Sequence, residues 1–529
     1  MSGSSTTDVT LVPHRETLII LSGLMMVMFL AALDQTIIAT ALSSMADDLR
    51  GWGLMSWVVS AYLVSSTAMT PIYGKLSDIF GRRRMVLTAL GVFIAASVLC
   101  ALSQSMIQLI AARTLQGVGG GGLITLSHTV IADIIAPRQR GRYQGYISSV
   151  FAVASVLGPV LGGIFVDHLS WHWIFWINLP LGMVAMAICN QSLKRLTQPL
   201  QHHRIDWAGF VLLLASVIPI LIGVSQVEQL GGWQSPAVIG PVVLGLVFLA
   251  LLVRQELRVV DPILPPRLFV NGIVTVASVM SFLVAMVMIP VTIMIPLDYQ
   301  LARGLSAQAA GLHLTALSGM VVVGALIGGL GTGRTGHYKR FAVAGAIMMT
   351  AAAAAIAAVG LGHGLGFDLA TTAVLGVGIG LQLPVAVIAL QNALNPEDLG
   401  IGTSCISFFR SMGGALGVAL FSTILIGRLD RLVLAVPGHE VLGADPGLAL
   451  VHLDQSATTA LAPALHAAFS QVITIAFSNV FLGVTVVAGL TLLATVALRE
   501  IPLRTRLIAA DLKPATAPAA EPSRECAAE

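Results

Sequence analysis

The sequence predicts an all-α polytopic membrane protein, on three observations. The 529 residues are 56% hydrophobic and 10% charged, with mean hydropathy +0.90, whereas a soluble chain carries about 25% charged residues. Apolar stretches of roughly 20 residues, the length of a membrane helix, recur along nearly the whole chain. The loops between them hold most of the basic residues. Open sheets are excluded because lipid cannot satisfy their edges.

Taken in order, spans are expected near 17–44, 52–74, 85–104, 106–133, 143–166, 173–191, 206–226, 236–253, 271–297, 307–331, 341–360, 364–392, 400–427 and 470–498. The first is too long for a signal-peptide core and lacks a clean cleavage site, so it reads as a retained helix. An even count puts both termini on one side. Most of the 28 Lys and Arg, among them Lys75, Arg82, Arg83, Arg84, Arg138, Arg140, Arg142, Arg254 and Arg340, fall on that side. Arg50, Arg303, Arg428 and Arg431 fall opposite. The positive-inside rule then places both termini in the cytoplasm.

This layout gives a cytoplasmic N-terminus at 1–16, six spans over 17–191, a linker at 192–270 with two additional spans, and six more over 271–498. The last group includes a long outward loop at 428–469, and a cytoplasmic tail follows at 499–529, whose Ala-, Pro- and Glu-rich end reads as disordered. Gly74-Lys-Leu-Ser-Asp78-Ile-Phe-Gly81-Arg-Arg-Arg84 has a worn copy in Gly329-Leu-Gly-Thr-Gly333-Arg-Thr-Gly336-His-Tyr-Lys-Arg340, at the end of an even-numbered span in each case. Two related six-helix halves with two helices inserted between them explain the second-to-tenth spacing.

Composition also excludes function classes. The spacing of the four cysteines implies neither a disulfide framework nor a metal site. No phosphate loop or hydrolase triad is present, so the chain does not read as an enzyme. The pI of 8.8 reflects loop arginines and not a nucleic-acid surface. No cofactor and no nucleic-acid partner are expected.

Asp34 is the acid that falls deepest in an apolar span, and an intramembrane carboxylate is costly and reads as functional by default. It lies roughly 15 Å from the outer end of the first span, and Arg113 roughly 10 Å down the fourth. Burial favours a protonated carboxyl and a nearby cation favours the ionised form, so a group balanced between them can exchange a proton when helices move. A permanent structural pair is the competing reading.

The loop with Gly74, Asp78, Gly81, Arg82 and Arg83 combines turn-permitting glycines with one acid among bases. It suits a lock whose acid meets the thirteenth span near Gly400 to Ser404, although topology alone accounts for the bases. Gly158, Pro159, Gly162 and Gly163 suggest a closely packed, bent fifth span. Gly119 to Gly122 would let a neighbouring helix or a substrate approach. Gln35, Gln116, Phe282, Met286, His313 and Gln382 are candidates for a substrate cavity, while His128 reads better as a satisfied core residue.

The first-span stretch Leu33-Asp34-Gln-Thr-Ile-Ile-Ala-Thr-Ala-Leu42, the 74–84 loop, the Arg113 helix and Gly158-Pro159-Val-Leu-Gly162-Gly163 occur in a recognisable order. So does the stretch at Arg410-Ser-Met-Gly-Gly-Ala-Leu-Gly417. Over roughly 17–498 the chain resembles the major facilitator superfamily (MFS), specifically its fourteen-helix drug:proton antiporters. The resemblance implies an MFS fold of two six-helix bundles plus two inserted helices. It also implies polyspecific efflux by alternating access, with small lipophilic or cationic substrates and protons as partners in the cell membrane. Ser43, Ile79 and Ala154 depart from the family pattern, and Ser43, standing where a proline is common, is expected to straighten the outer end of the first helix. Export of a specific lipid or metabolite, and proton-coupled solute symport, are the alternatives. No envelope adaptor is readable. With a single deep carboxylate, neutral or singly charged compounds are expected to be favoured over dications.

Overall fold

The computed structural model describes residues 14–51, 54–135, 137–195, 206–225, 227, 232–259, 261–303, 305, 307–395, 398–437 and 463–503. Residues 438–462 of the 428–469 loop, like the tail beyond 503, lie outside the described residues. Within them the chain is nearly all helical.

The first predicted span is broken. Helix α1 (His14–Ile37) ends in a 3-10 turn (Ile38–Thr40) before short α2 (Leu42–Asp48). The Thr36 hydroxyl donates to the Ala32 and Leu33 carbonyls, and Thr40 to Ile37 at 2.9 Å. Such local side-chain bonds compete with the helix ladder, so the expected straightening at Ser43 does not occur.

Next come α3 (Met55–Phe80), α4 (Arg82–Ala101), α5 (Met106–Ile134) and α6 (Pro137–His168), then α7 (Trp173–Trp176) with α8 (Asn178–Ser192). The pair α9 (Trp207–Ser225) and α10 (Pro236–Glu256) leads through α11 (Pro266–Val270) to α12 (Gly272–Arg303) and α13 (Ala307–Thr335). The remainder is α14 (Lys339–Val359), α15 (Leu365–Ala393), α16 (Leu399–Val433) and α17 (Pro463–Ala497). Among the described residues 12 helical segments are long and apolar enough to cross a membrane. The long helices α3 and α5 fall outside that set, diluted by Ser, Thr and Gly.

Two large apolar cores form. One joins α1, α3, α4, α5, α6 and α8, and the other joins α12 to α17. Helices α9 and α10 pack on each other, and α9 also packs on α3 and α16. Contact between the first and last groups of helices runs chiefly through α3 with α16 and α6 with α13.

The internal repeat is visible in the backbone. Gly81 (φ 89) separates α3 from α4, and Gly336 (φ 75) follows α13, both in a region that favours glycine. Each loop is tied to the end of a later helix. Arg83 donates to the Asn190 side chain at 2.5 Å near the end of α8, and Lys339 Nζ donates to the Val496 carbonyl at 2.7 Å in α17.

At the face carrying these basic loops, glycines let α3 and α16 approach closely, each taking a side chain of the other helix. A Cβ at Gly74 would collide with Ser404, and one at Gly400 would collide with Asp78 and Arg82. Asp78 is ion-paired to Arg82, which also donates from Nε to Asp133 of α5 at 2.8 Å. The acid thus sits beside the first turn of α16, where the helix dipole favours negative charge. Asp78 and the Gly400–Ser404 turn meet as the sequence suggested.

Overpacking a close contact costs about 1–3 kcal/mol. Gly74→Val should therefore part α3 from α16, raising maleimide labelling of a cysteine placed at Ser404 in a background lacking the native cysteines. Unchanged labelling would show that α16 has room to absorb the side chain.

Candidate functional site

Five helices converge on Asp34. Its carboxylate is fully buried, as are Arg113, Gln116, Ser97, Asn178 and Tyr62 around it. Arg113 Nη1 donates to Asp34 Oδ2 at 2.7 Å and to Gln116 Oε1 at 2.7 Å. Gln116 Nε2 donates to Asp34 Oδ1 at 2.8 Å and to the Ser97 hydroxyl at 2.8 Å. Asn178 Nδ2 donates to the same Oδ1 at 3.0 Å. The guanidinium completes its shell with the Val58 carbonyl, 3.3 Å from Nε, and with the face of the Tyr62 ring, 4.3 Å from its centroid.

The depth argument from sequence thus brought the right acid and base together. It missed Asn178, Ser97 and Tyr62, although Asn178 stands out as a polar residue in an apolar run and was open to the same argument. The glycine run explains how the shell closes. Gly117, Gly120 and Gly121 press on α3 at Tyr62, Ser65 and Ser66, while Gly119 presses on Ala89 and Phe93 of α4. Gly122 meets Ala89 and Tyr73. Neighbouring helices, and not a substrate, occupy the space these glycines leave.

The motif in α6 packs on the same helix as Asp34. Thr36 donates to the Ala154 carbonyl at 3.0 Å. A Cβ at Gly158 would strike Thr36, and one at Gly162 would strike Thr40, whereas Gly163 faces open space. Helix α6 runs through Pro159 without interruption.

The predicted cavity residues separate. Gln116 is part of the Asp34 shell. Gln382 is likewise buried inside α15, donating to the Ala342 carbonyl at 2.9 Å. Both amides are drawn inward because an unpaired polar group in a helical bundle seeks a buried partner. Gln35 is exposed. The Phe282 and Met286 backbones lie against Gly413 and Gly417 of α16, with both side chains half-buried. His313 packs against the Tyr299 ring at a tilt of 37°, ring centroids 4.3 Å apart.

Near Tyr299 the structure adds two acids that the sequence analysis did not single out. Asp298 and Asp368 are both buried, and both oxygens of Asp368 accept the Gly362 N–H at 2.9 Å. The Arg303 guanidinium packs against the same glycine. Among the described residues no group of His, Cys, Asp and Glu could hold a metal ion.

Removing one member of a buried ion pair costs about 3–5 kcal/mol, because the other charge stays behind. Arg113→Met should therefore lower the thermal midpoint of the purified protein, and the double variant Asp34→Asn/Arg113→Met should recover much of the loss. A double variant no more stable than the single one would show that the pair does not hold these helices together.

The chain is similar to known proteins. Residues 24–418 match the family model of the Major Facilitator Superfamily. An uncharacterised MFS-type transporter of Mycobacterium tuberculosis is 35% identical over 492 residues, covering 92% of this chain and 70% of that protein. The multidrug transporter protein MdtP of Bacillus subtilis is 33% identical, covering 78% of this chain and 76% of MdtP. Multidrug resistance protein 3 of the same organism is also 33% identical, covering 79% and 81%. Among solved structures, the proton:xylose symporter XylE superimposes with TM-score 0.58 at 12% identity over 90% of this chain and 95% of that one. The human organic anion transporter MFSD10 gives 0.55 at 15% over 90% and 100%. At those identities the two structures speak to the fold alone. With the family model spanning most of the chain and relatives a third identical along it, the chain belongs to the Major Facilitator Superfamily and is a multi-pass membrane transporter of its efflux type, not an enzyme.

Proposed function

We propose that this transporter is a proton-coupled exporter of lipophilic compounds that works by alternating access, with fourteen membrane crossings and both termini in the cytoplasm. The single observation that carries the coupling is the enclosed Asp34 carboxylate, held by Arg113, Gln116 and Asn178. Its ionised form is satisfied by three donors. A rearrangement that withdraws Arg113 favours proton uptake, because a carboxylate left unpaired in such a site is strongly disfavoured. Gly158 and Gly162 tie α1 to α6, so a shift of either helix reaches the carboxylate. The Asp78–Arg82–Asp133 cluster against Gly400 is the lock of the closed face. Sequence likeness to multidrug transporters supports efflux as the direction. The basic loops support insertion in the cell membrane with those loops inside.

Reconstituted in liposomes under an imposed pH gradient, the protein should accumulate a lipophilic fluorescent probe. Asp34→Asn should abolish the gradient-driven component while exchange of probe at equal pH persists. Uphill accumulation by that variant would remove Asp34 from the coupling role.

Arg113→Ala should displace the pH profile of transport and not merely scale its rate, since the cation sets the balance between the two forms of the carboxyl. A profile of unchanged shape would make Arg113 a structural residue only.

A further inference from the structure

The Asp34 cluster is self-contained: Arg113 cancels the carboxylate inside one group of helices, and both are sealed from the exterior. It therefore offers no net charge to a substrate between the two groups. The charge that stands there is positive. Arg410 lies about eleven residues into α16, about 16 Å along the helix from Leu399. It is half-buried and makes no hydrogen bond or ion pair with any described residue. Arg82 and Arg113, the other arginines enclosed by helices, each hold a carboxylate.

On the opposite side, His128 of α5 lies within electrostatic reach of Arg410. Its ring is only 4% exposed, and Nδ1 has no hydrogen-bond partner. An uncompensated cation and an unpartnered imidazole nitrogen thus stand on α16 and α5, helices of different groups that pack on each other. One turn beyond Arg410, the Phe282 backbone meets Gly413, so apolar residues adjoin the charged end.

We propose that Arg410 and His128 form the head-group site for an acidic amphipathic substrate, a lipophilic monoanion such as a carboxylate, whose apolar body lies toward α12. A guanidinium pairs with a carboxylate through two parallel N–H donors, and His128 supplies a further polar contact from across the interface. A bound anion neutralises Arg410, whereas a cation brings a second positive charge. This assignment rests on the exporter reading above and narrows the expected preference for neutral or singly charged compounds to anions, because Asp34 is already occupied by Arg113.

Binding is measured on purified, delipidated protein without a gradient, by energy transfer from tryptophan to three pyrene probes: pyrenebutyrate, pyrenebutanol and pyrenebutyltrimethylammonium. Failure of proton coupling leaves this measurement intact, so the two proposals fail separately. Pyrenebutyrate should bind tightest. Arg410→Gln should weaken it roughly tenfold or more relative to pyrenebutanol, as loss of a charge-assisted bond implies, and Arg410→Lys should restore part of that ratio. Monodisperse elution of each variant certifies folding. The proposal is overturned if the cationic probe binds as tightly as the anion in the parent protein, or if Arg410→Gln leaves the ratio unchanged. It is equally overturned if phosphatidylglycerol displaces pyrenebutyrate where phosphatidylcholine does not, since the site then belongs to an anionic lipid.

Discussion

Burying Asp34 and Arg113 together is the constraint around which the first group of helices is built. Removing two charges from water costs several kcal/mol per ion unless the geometry is good and the remaining lone pairs and protons are satisfied. Here α1 supplies the acid, α5 the base and Gln116, α8 Asn178, α4 Ser97, and α3 the Val58 carbonyl and the Tyr62 ring. No single helix could close this shell. The glycines of α5 follow from it, because α3 and α4 must come within backbone distance for Tyr62 and Ser97 to reach the pair.

The same economy of side chains links this cluster to the rest of the molecule. Thr36, two residues after Asp34, bonds to α6 over Ala154 and Gly158. Helix α6 packs on α13, and α3 packs on α16 through Gly74 and Gly400. Close contacts of this kind, a side chain seated over a glycine, leave little room for intermediate arrangements. The connector before α12 adds polar ties at the basic face. Glu256 accepts the Ile263 and Leu264 N–H groups, and Arg267 pairs with Asp398 at 2.8 Å just before α16. Under the proposed cycle, these ties make the inserted helices part of the moving assembly.

Asp34, Arg113 and the Asp78 loop were legible because membrane depth turns a charged residue into a conspicuous one, and because helix rise converts sequence position into depth. Asn178 and Ser97 were passed over since single uncharged polar residues are common in membrane helices. The buried partners of Gln116 and Gln382 were not legible: depth says how far along a helix a side chain sits, not which neighbour it faces. The break after Ile37 went unseen because an unbroken apolar pattern carries no record of threonine hydroxyls bonding backward to the helix.

By itself the sequence determined the membrane solvent, the helical class, the approximate spans, the repeat that places Gly81 and Gly336 alike, and the pairing of one deep acid with one deep base. These follow from hydropathy, backbone hydrogen bonding and residue spacing, all of which are local. Only the tertiary structure decided which charges are compensated. It enclosed Asp34 with Arg113 inside one group of helices, buried Asp298 and Asp368 near Arg303, and left Arg410 without a carboxylate partner among the described residues. Compensation depends on distances between residues far apart in the chain, and those distances are set by how the helices pack.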